Sequence, residues 1–351
     1  MLDSDAQKRY EAFWAREAYG RCCLFLTVPK YDRLPPDPAD PAGLWEDIEA
    51  RFVREKFIHQ NTEYLADSFP SVFTNYGPGC LTAMIGGTQK WAPETVWFEN
   101  EPVIVDWDYP PAPVLDRESH MHRLVEKFTQ TFLERGEGRF LLSVTDIGGT
   151  YDIISALRGT QTLLADLYDC PGEVKAFADE LFPVWRDYFQ GQSARLLKKQ
   201  GAMTSWMPIY SQKTYYPLQC DFSAMISPRM FAEFIRPDLQ RQMMCMDRSI
   251  YHLDGPDEIR HLDQLLNMER LNAIQWTSGA GAADVTDPCW FGLYERIQLA
   301  GKGLVLLDAN PETVERLLRS VSPKGLFVQT STRDIKQAQE IVAIADEAGR
   351  V

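Results

Sequence analysis

Gly303-Leu-Val-Leu-Leu307, then Asp308-Ala-Asn-Pro311 and, further on, Leu326-Phe-Val-Gln329 form the part of the chain that decides the fold. The two apolar runs are strand-sized and nearly uniform, without the alternation of a half-exposed strand. Between them residues 311–320 carry helical spacing behind Asn310, and residues 332–348 do so after the second run. Uniformly apolar short strands separated by helices imply a parallel sheet covered on both faces. Working backwards, the same alternation reaches residue 139. Strands are expected at 140–145, 202–206, 249–252 and 273–276, with a short extended run ending at Ile226. Helices are expected at 151–157, 160–168, 171–200, 228–246, 257–266 and 288–299. That gives about six strand–helix units.

The N-terminal part reads less regularly. A helix is expected at 5–18, a buried strand at 22–28, a Pro-rich loop at 34–41 and a long amphipathic helix at 44–65. It can supply two more units, which makes the expected fold α/β, a (β/α)8 TIM barrel with extra N-terminal helices. The expected organisation is one domain over 1–351. Residues 1–115 form helical decoration plus the first units and 116–351 the remaining ones, with Pro110-Pro-Ala-Pro113 at the junction. An open doubly wound sheet is the alternative, although no Gly-x-Gly-x-x-Gly follows a strand.

Composition narrows the function. The 351 residues carry 36 basic and 50 acidic side chains, a net charge of −14, with no basic run longer than Lys198-Lys199. That argues against nucleic acid as a partner. No apolar run approaches the ~20 residues that cross a bilayer, so no membrane partner is expected. Seven cysteines without a Cys-x-x-Cys pair, behind an acidic N-terminus, suit reduced thiols and a cytoplasmic location.

In a barrel the chemistry lies at the C-terminal ends of the strands. The polar residues expected there are Asp146, Trp206, His252, Asp254, Gln275-Trp276, Asp308 and Gln329-Thr330-Ser331, while Gln219-Cys220-Asp221 lie in the loop before the helix that Ser227 opens. His252 and Asp254 lie two apart on an extended strand, so both point to one side. They can share a metal ion or a substrate hydroxyl. Equally, Asp254 can cap the helix that Pro256 opens. Cys220 offers a thiolate for zinc if it is not simply a buried thiol. Asp146, before Ile147-Gly-Gly149, is a candidate acid or base that can instead serve a turn, and Asp221 beside Cys220 offers an assisting carboxylate. Tyr76, Trp206, Gln219, Gln275 and Trp276 are candidate pocket walls. His59 and His261 read as exposed helix residues, and His120-x-His122 as a pair that diverges on its helix.

The order of Asp152-Ile-Ile-Ser-Ala-Leu-Arg-Gly159, Ile226-Ser-Pro228 with Phe231 and Phe234, Tyr251-His-Leu-Asp-Gly255 and Ala273-Ile-Gln-Trp276 resembles the uroporphyrinogen decarboxylase superfamily over residues 70–350. The resemblance implies a (β/α)8 barrel and a homodimer. The decarboxylase's arginine-rich N-terminal motif is not matched at Arg21-Cys-Cys-Leu-Phe-Leu26, and Gln329-Thr330-Ser331 stands where it has a histidine. The resemblance therefore points to the corrinoid-linked methyltransferases. These act on a small methylated substrate with a corrinoid carried by a partner protein, and bind zinc through a His-x-Cys pair and a later Cys. Here His252 matches the histidine and Asp254 stands at the first cysteine. The expectation is methyl transfer to or from a corrinoid protein or a thiol. His252, Asp254, Asp146 and Asp221 would be catalytic, and His252, Asp254 and Cys220 would hold a possible zinc. A metal-independent decarboxylase or lyase using Asp146 and His252, and a non-catalytic small-molecule binding protein, are the alternatives.

Overall fold

A computed structural model describes residues 2–35, 40–98 and 101–350. Residues 36–39 of the expected Pro-rich loop lie outside them. Eleven strands are described: β1 Cys23–Pro29, β2 Thr62–Ala66, β3 Ser71–Val72, β4 Lys90–Trp91, β5 Val96–Trp97, β6 Leu141–Leu142, β7 Tyr215–Leu218, β8 Arg248–Asp254, β9 Ala273–Thr277, β10 Gly303–Ala309 and β11 Leu326–Ser331. The main sheet runs β2-β1-β11-β10-β9-β8-β7. All its pairings are parallel except β2 on β1. β3 and β6 form a separate parallel pair, and β4 and β5 an antiparallel hairpin. Six parallel strands therefore belong to the main sheet and two to the pair.

Segments flanking the pair reach β1 and β7 of the main sheet through side-chain bonds. The Ser68 hydroxyl, just before β3, donates to the Leu26 carbonyl of β1 at 2.8 Å, and the Ile147 amide, beyond β6, donates to the Tyr216 hydroxyl of β7 at 2.7 Å. β8 to β11 are buried almost throughout. Such burial needs helices on the outer face, and the apolar cluster extends from Tyr10 to Ala345.

Several expectations fail locally; the extended run expected before Ile226 is the 3-10 turn Asp221–Met225, and the strand expected at 140–145 is only Leu141–Leu142. The helix expected at 44–65 is two helices, Pro41–Glu46 and Ile48–Gln60, followed by β2. Asp47 interrupts it because its carboxylate accepts the Ala50 amide at 2.9 Å as an N-cap. The strand expected at 202–206 is only a bridge between Met203 and Ser211, and the ladder is taken up by β7 instead. β7 contains Pro217 and lies at the edge of the sheet, where a residue without an amide hydrogen is tolerated. The helix expected at 257–266 opens as a 3-10 turn, Pro256–His261, before Leu262–Leu266.

Asp67 ties the two ends of the chain together. It is fully buried and paired with Arg9 of the first helix and with Arg21, whose Nη1 lies 2.5 Å away. It also accepts the Leu24 amide of β1 at 2.9 Å. Arg21 reaches on to Asp346 of the last helix at 3.0 Å. Two guanidiniums and an amide meet the buried charge that would otherwise be costly.

Candidate active site

β8 and β9 pair in a register that sets His252 opposite Gln275 and Asp254 opposite Thr277. Side chains at i and i+2 share a face, so these four meet on one side of the sheet. His252 Nδ1 is bonded to Gln275 Oε1, and Gln275 Nε2 donates to the Thr277 hydroxyl at 2.8 Å. A carbonyl oxygen accepts, so Nδ1 donates to Gln275 and Nε2 is the ring nitrogen left to meet a ligand. Trp206 meets the imidazole edge-on, ring centres 5.1 Å apart.

Asp221 completes a triad. One donor atom from each of Asp221, His252 and Asp254 lies within 4.8 Å of the others. Asp221 opens the 3-10 turn Asp221–Met225 and is exposed. Desolvation raises its carboxyl pKa; the imidazole of His252 lowers it and the charge of Asp254 raises it.

Asp254 does not cap the following turn. Gly255 holds that position without a side-chain bond. The cap runs the other way: Glu258, fully buried, accepts the Asp254 amide at 3.1 Å and is bonded to the Ser223 hydroxyl at 2.9 Å. Glu258 thus fastens the segment of one triad carboxylate to that of the other. Burial pushes its carboxyl up to about 9.

Asp146 lies beyond β6, 7 % exposed. Its Oδ1 accepts the Gly148 amide at 2.9 Å, the Gly79 amide at 3.4 Å and the Tyr216 hydroxyl at 3.2 Å. Gly148 has φ +87°, and a Cβ there would stand 2.6 Å from the Gly79 Cα, so only glycine permits this approach. Burial raises the Asp146 carboxyl to about 6; the Gly148 amide opposes this, and the charge of Asp221 adds to it. The folded value exceeds the ordinary 3.8, so the folded state holds the extra proton between the two. Stability therefore falls as pH rises through about 6. Asp146→Asn keeps the accepting oxygen and removes this slope. Its melting temperature, set against the wild type, should gain steadily from about pH 4 to about pH 7. A constant difference would show that Asp146 titrates normally.

Other expected residues fall elsewhere. Cys220 is buried and does not join the triad; burial raises its thiol well above the ordinary range, with Asp152 and Glu258 adding to it. Trp276 lies on the opposite face from Gln275 by simple alternation and packs on Trp290 at 5.0 Å. Tyr76 belongs to the N-terminal core, under the Arg51 guanidinium and against Phe128. Gln219 is buried and lines a cleft beside Asp221. His261 is not exposed: it is fully buried, stacked on Phe231, with Nε2 2.9 Å from the Ser223 carbonyl. His59 is half-buried and bonded to the Tyr64 hydroxyl. Glu258 was not foreseen. The Asp-Gly-Pro that precedes it signals a turn and says nothing of which side chain folds back.

Among solved structures the chain is similar to a methyltransferase from Methanosarcina mazei, with a TM-score of 0.61 and 9% identity, over 98% of this chain and 99% of that one. The two share a fold. At that identity the likeness carries no residue assignments. No protein-family model matches the chain, and no curated protein matches it. Among the described residues no helix is long and apolar enough to cross a membrane.

Proposed function

We propose that this protein is a methyl-transfer enzyme of the uroporphyrinogen decarboxylase-like type. Its strands would form a (β/α)8 barrel closed by the side-chain bonds at Ser68 and Tyr216. The substrate is a small methylated molecule, and the exchange partner is a corrinoid protein or a thiol. A cytoplasmic homodimer is the proposed setting. The observation that carries the reading is the Asp221–His252–Asp254 triad at the ends of adjacent strands.

The triad fits a divalent metal such as zinc in a nitrogen–oxygen site. Three protein donors converge, the imidazole keeps Nε2 available, and Gln275 fixes its orientation from behind, as is usual for metal-bound histidines. It does not fit a thiolate zinc site, because Cys220 stands apart. When bound, the metal would supply Lewis-acid polarisation of a substrate oxygen or sulfur. Gln275 holds the His252 tautomer. Glu258 holds Asp254 and, through Ser223, the turn that carries Asp221. Asp146, its carboxyl raised by burial to about 6, is the candidate to take or give a proton.

That same carboxyl favours a second reading, a metal-independent lyase with Asp146 and His252 as the acid–base pair. Metal analysis separates the two. Protein purified without chelator or affinity metal is expected to hold about one metal ion per chain, and chelation to stop turnover. Metal-free protein with chelator-insensitive turnover would sink the metal-assisted reading and leave the lyase. Ligand binding without any turnover would make the chain a binding protein.

A further inference from the structure

A cavity of about 250 Å³ lies at the N-terminal ends of β3 and β6, whereas the triad's His252 and Asp254 stand at the C-terminal end of β8. Its walls are Phe69, Phe132, Leu133, Phe140, Leu141 and Tyr210. The gap has a local cause. β6 is two residues long, and the segment that follows the Pro171–Gln200 helix forms only the Met203–Ser211 bridge. The Gln200 side chain takes the place of a ladder. Its Oε1 accepts the Leu142 amide at 3.0 Å, and its Nε2 donates to the Leu142 carbonyl at 2.7 Å. One side chain stands in for a strand, and the volume beside it is left open.

Most polar groups of the lining are already committed. Gln7 donates to the Leu2 carbonyl at 3.2 Å, and Glu137 is paired with Lys199 at 3.1 Å. Arg139 is the exception. It is exposed at the rim and forms no ion pair among the described residues. With Pro70 and Phe140 it also borders a neighbouring recess, which Lys56 lines. The two hollows together present Lys56, Arg139 and Lys199 against a single acid, Glu137, in a chain of net charge −14.

Apolar walls with an unpaired guanidinium at the mouth suit a chain that ends in a negative charge. An organic cation would meet Arg139 as a like charge. A small inorganic anion would gain nothing from the phenylalanines. A neutral alcohol would fill the walls and leave the guanidinium unanswered. The guanidinium fork matches the two oxygens of one carboxylate, and Glu137 at the same rim disfavours a dianion. An apolar cavity of about 150 Å³ already holds benzene, so this one takes a longer group.

We propose that this cavity binds an alkyl carboxylate of medium chain length, the chain against Phe69, Phe132 and Phe140 and the carboxylate against Arg139. The site does not depend on the methyl-transfer reading.

The test is calorimetric titration of the full chain with sodium octanoate, at matched ionic strength. Acetate supplies the head group without the chain, and 1-octanol the chain without the charge. Octanoate is expected to bind saturably, and acetate and 1-octanol each at least about tenfold more weakly. Arg139→Gln, at an exposed position, should weaken octanoate about tenfold and leave 1-octanol unchanged. Ala202→Leu, which puts a larger side chain into the lining, should weaken both about tenfold. Melting curves establish that each variant is folded. Non-saturable uptake, or acetate or 1-octanol as tight as octanoate, would overturn the proposal. So would full octanoate affinity in either variant, because the anion would then be held somewhere else.

Discussion

Asp67→Ala is expected to destabilise the protein by about 3–5 kcal/mol, the usual cost of leaving buried partners of an ion pair uncompensated. Arg21 is 4 % exposed and has little access to water in compensation. The substitution strips it of two hydrogen bonds from Nη1 and Nη2, leaves Arg9 without its partner and orphans the Leu24 amide. Urea denaturation followed by circular dichroism measures the effect. Asp67→Asn should fall between alanine and the wild type, because its amide oxygen still accepts from Leu24 while the charge is gone. A loss below about 1 kcal/mol in the alanine variant, the size of a surface pair, would show that the knot does not hold the chain ends.

His252→Ala should lower turnover by about two to four orders of magnitude under either chemical reading, since both route the reaction through this imidazole. The readings part on a second measurement. If the triad holds a metal, the variant also loses it, and added imidazole should restore some of both. If His252 acts only as an acid or base, turnover falls while metal content stays the same. Gln275 sharpens the point. Gln275→Leu removes the acceptor that keeps the proton on Nδ1 and should lower turnover without unfolding the protein. Unchanged turnover in His252→Ala would remove this residue from the reaction altogether.

Where local chemistry and tertiary demand agree, the sequence could be read directly. The runs that became β10 and β11 are apolar because both faces are covered, and no other element satisfies that pattern over so few residues. His252 and Asp254 could be paired because strand periodicity leaves no choice of side. The same rule, applied to the next strand, places Gln275 with them and Trp276 away, yet indoles at a strand end suggest a pocket wall just as readily as core. Residues 62–65 continue a helical pattern, and only the open edge of β1 turns them into β2. Tyr215–Leu218 was hidden by Pro217, which is harmless at an edge and forbidding anywhere else. Glu258 and His261 were beyond reach for a different reason. A charged pair in a Pro-opened turn has the signature of a solvent-facing segment, and its burial is decided by Ser223, far away along the chain.

The bond pattern around Glu258 has a bearing on how this mouth could ever move. Asp254 ends β8 and Ser223 lies in the turn that follows β7, and one carboxyl grips both. His261, three residues further on, takes hold of the Ser223 carbonyl as well. The end of β8 and the turn after β7 are consequently held as one solid plate. The two triad carboxylates are carried on that plate, so their spacing is built into the fold before any ligand arrives.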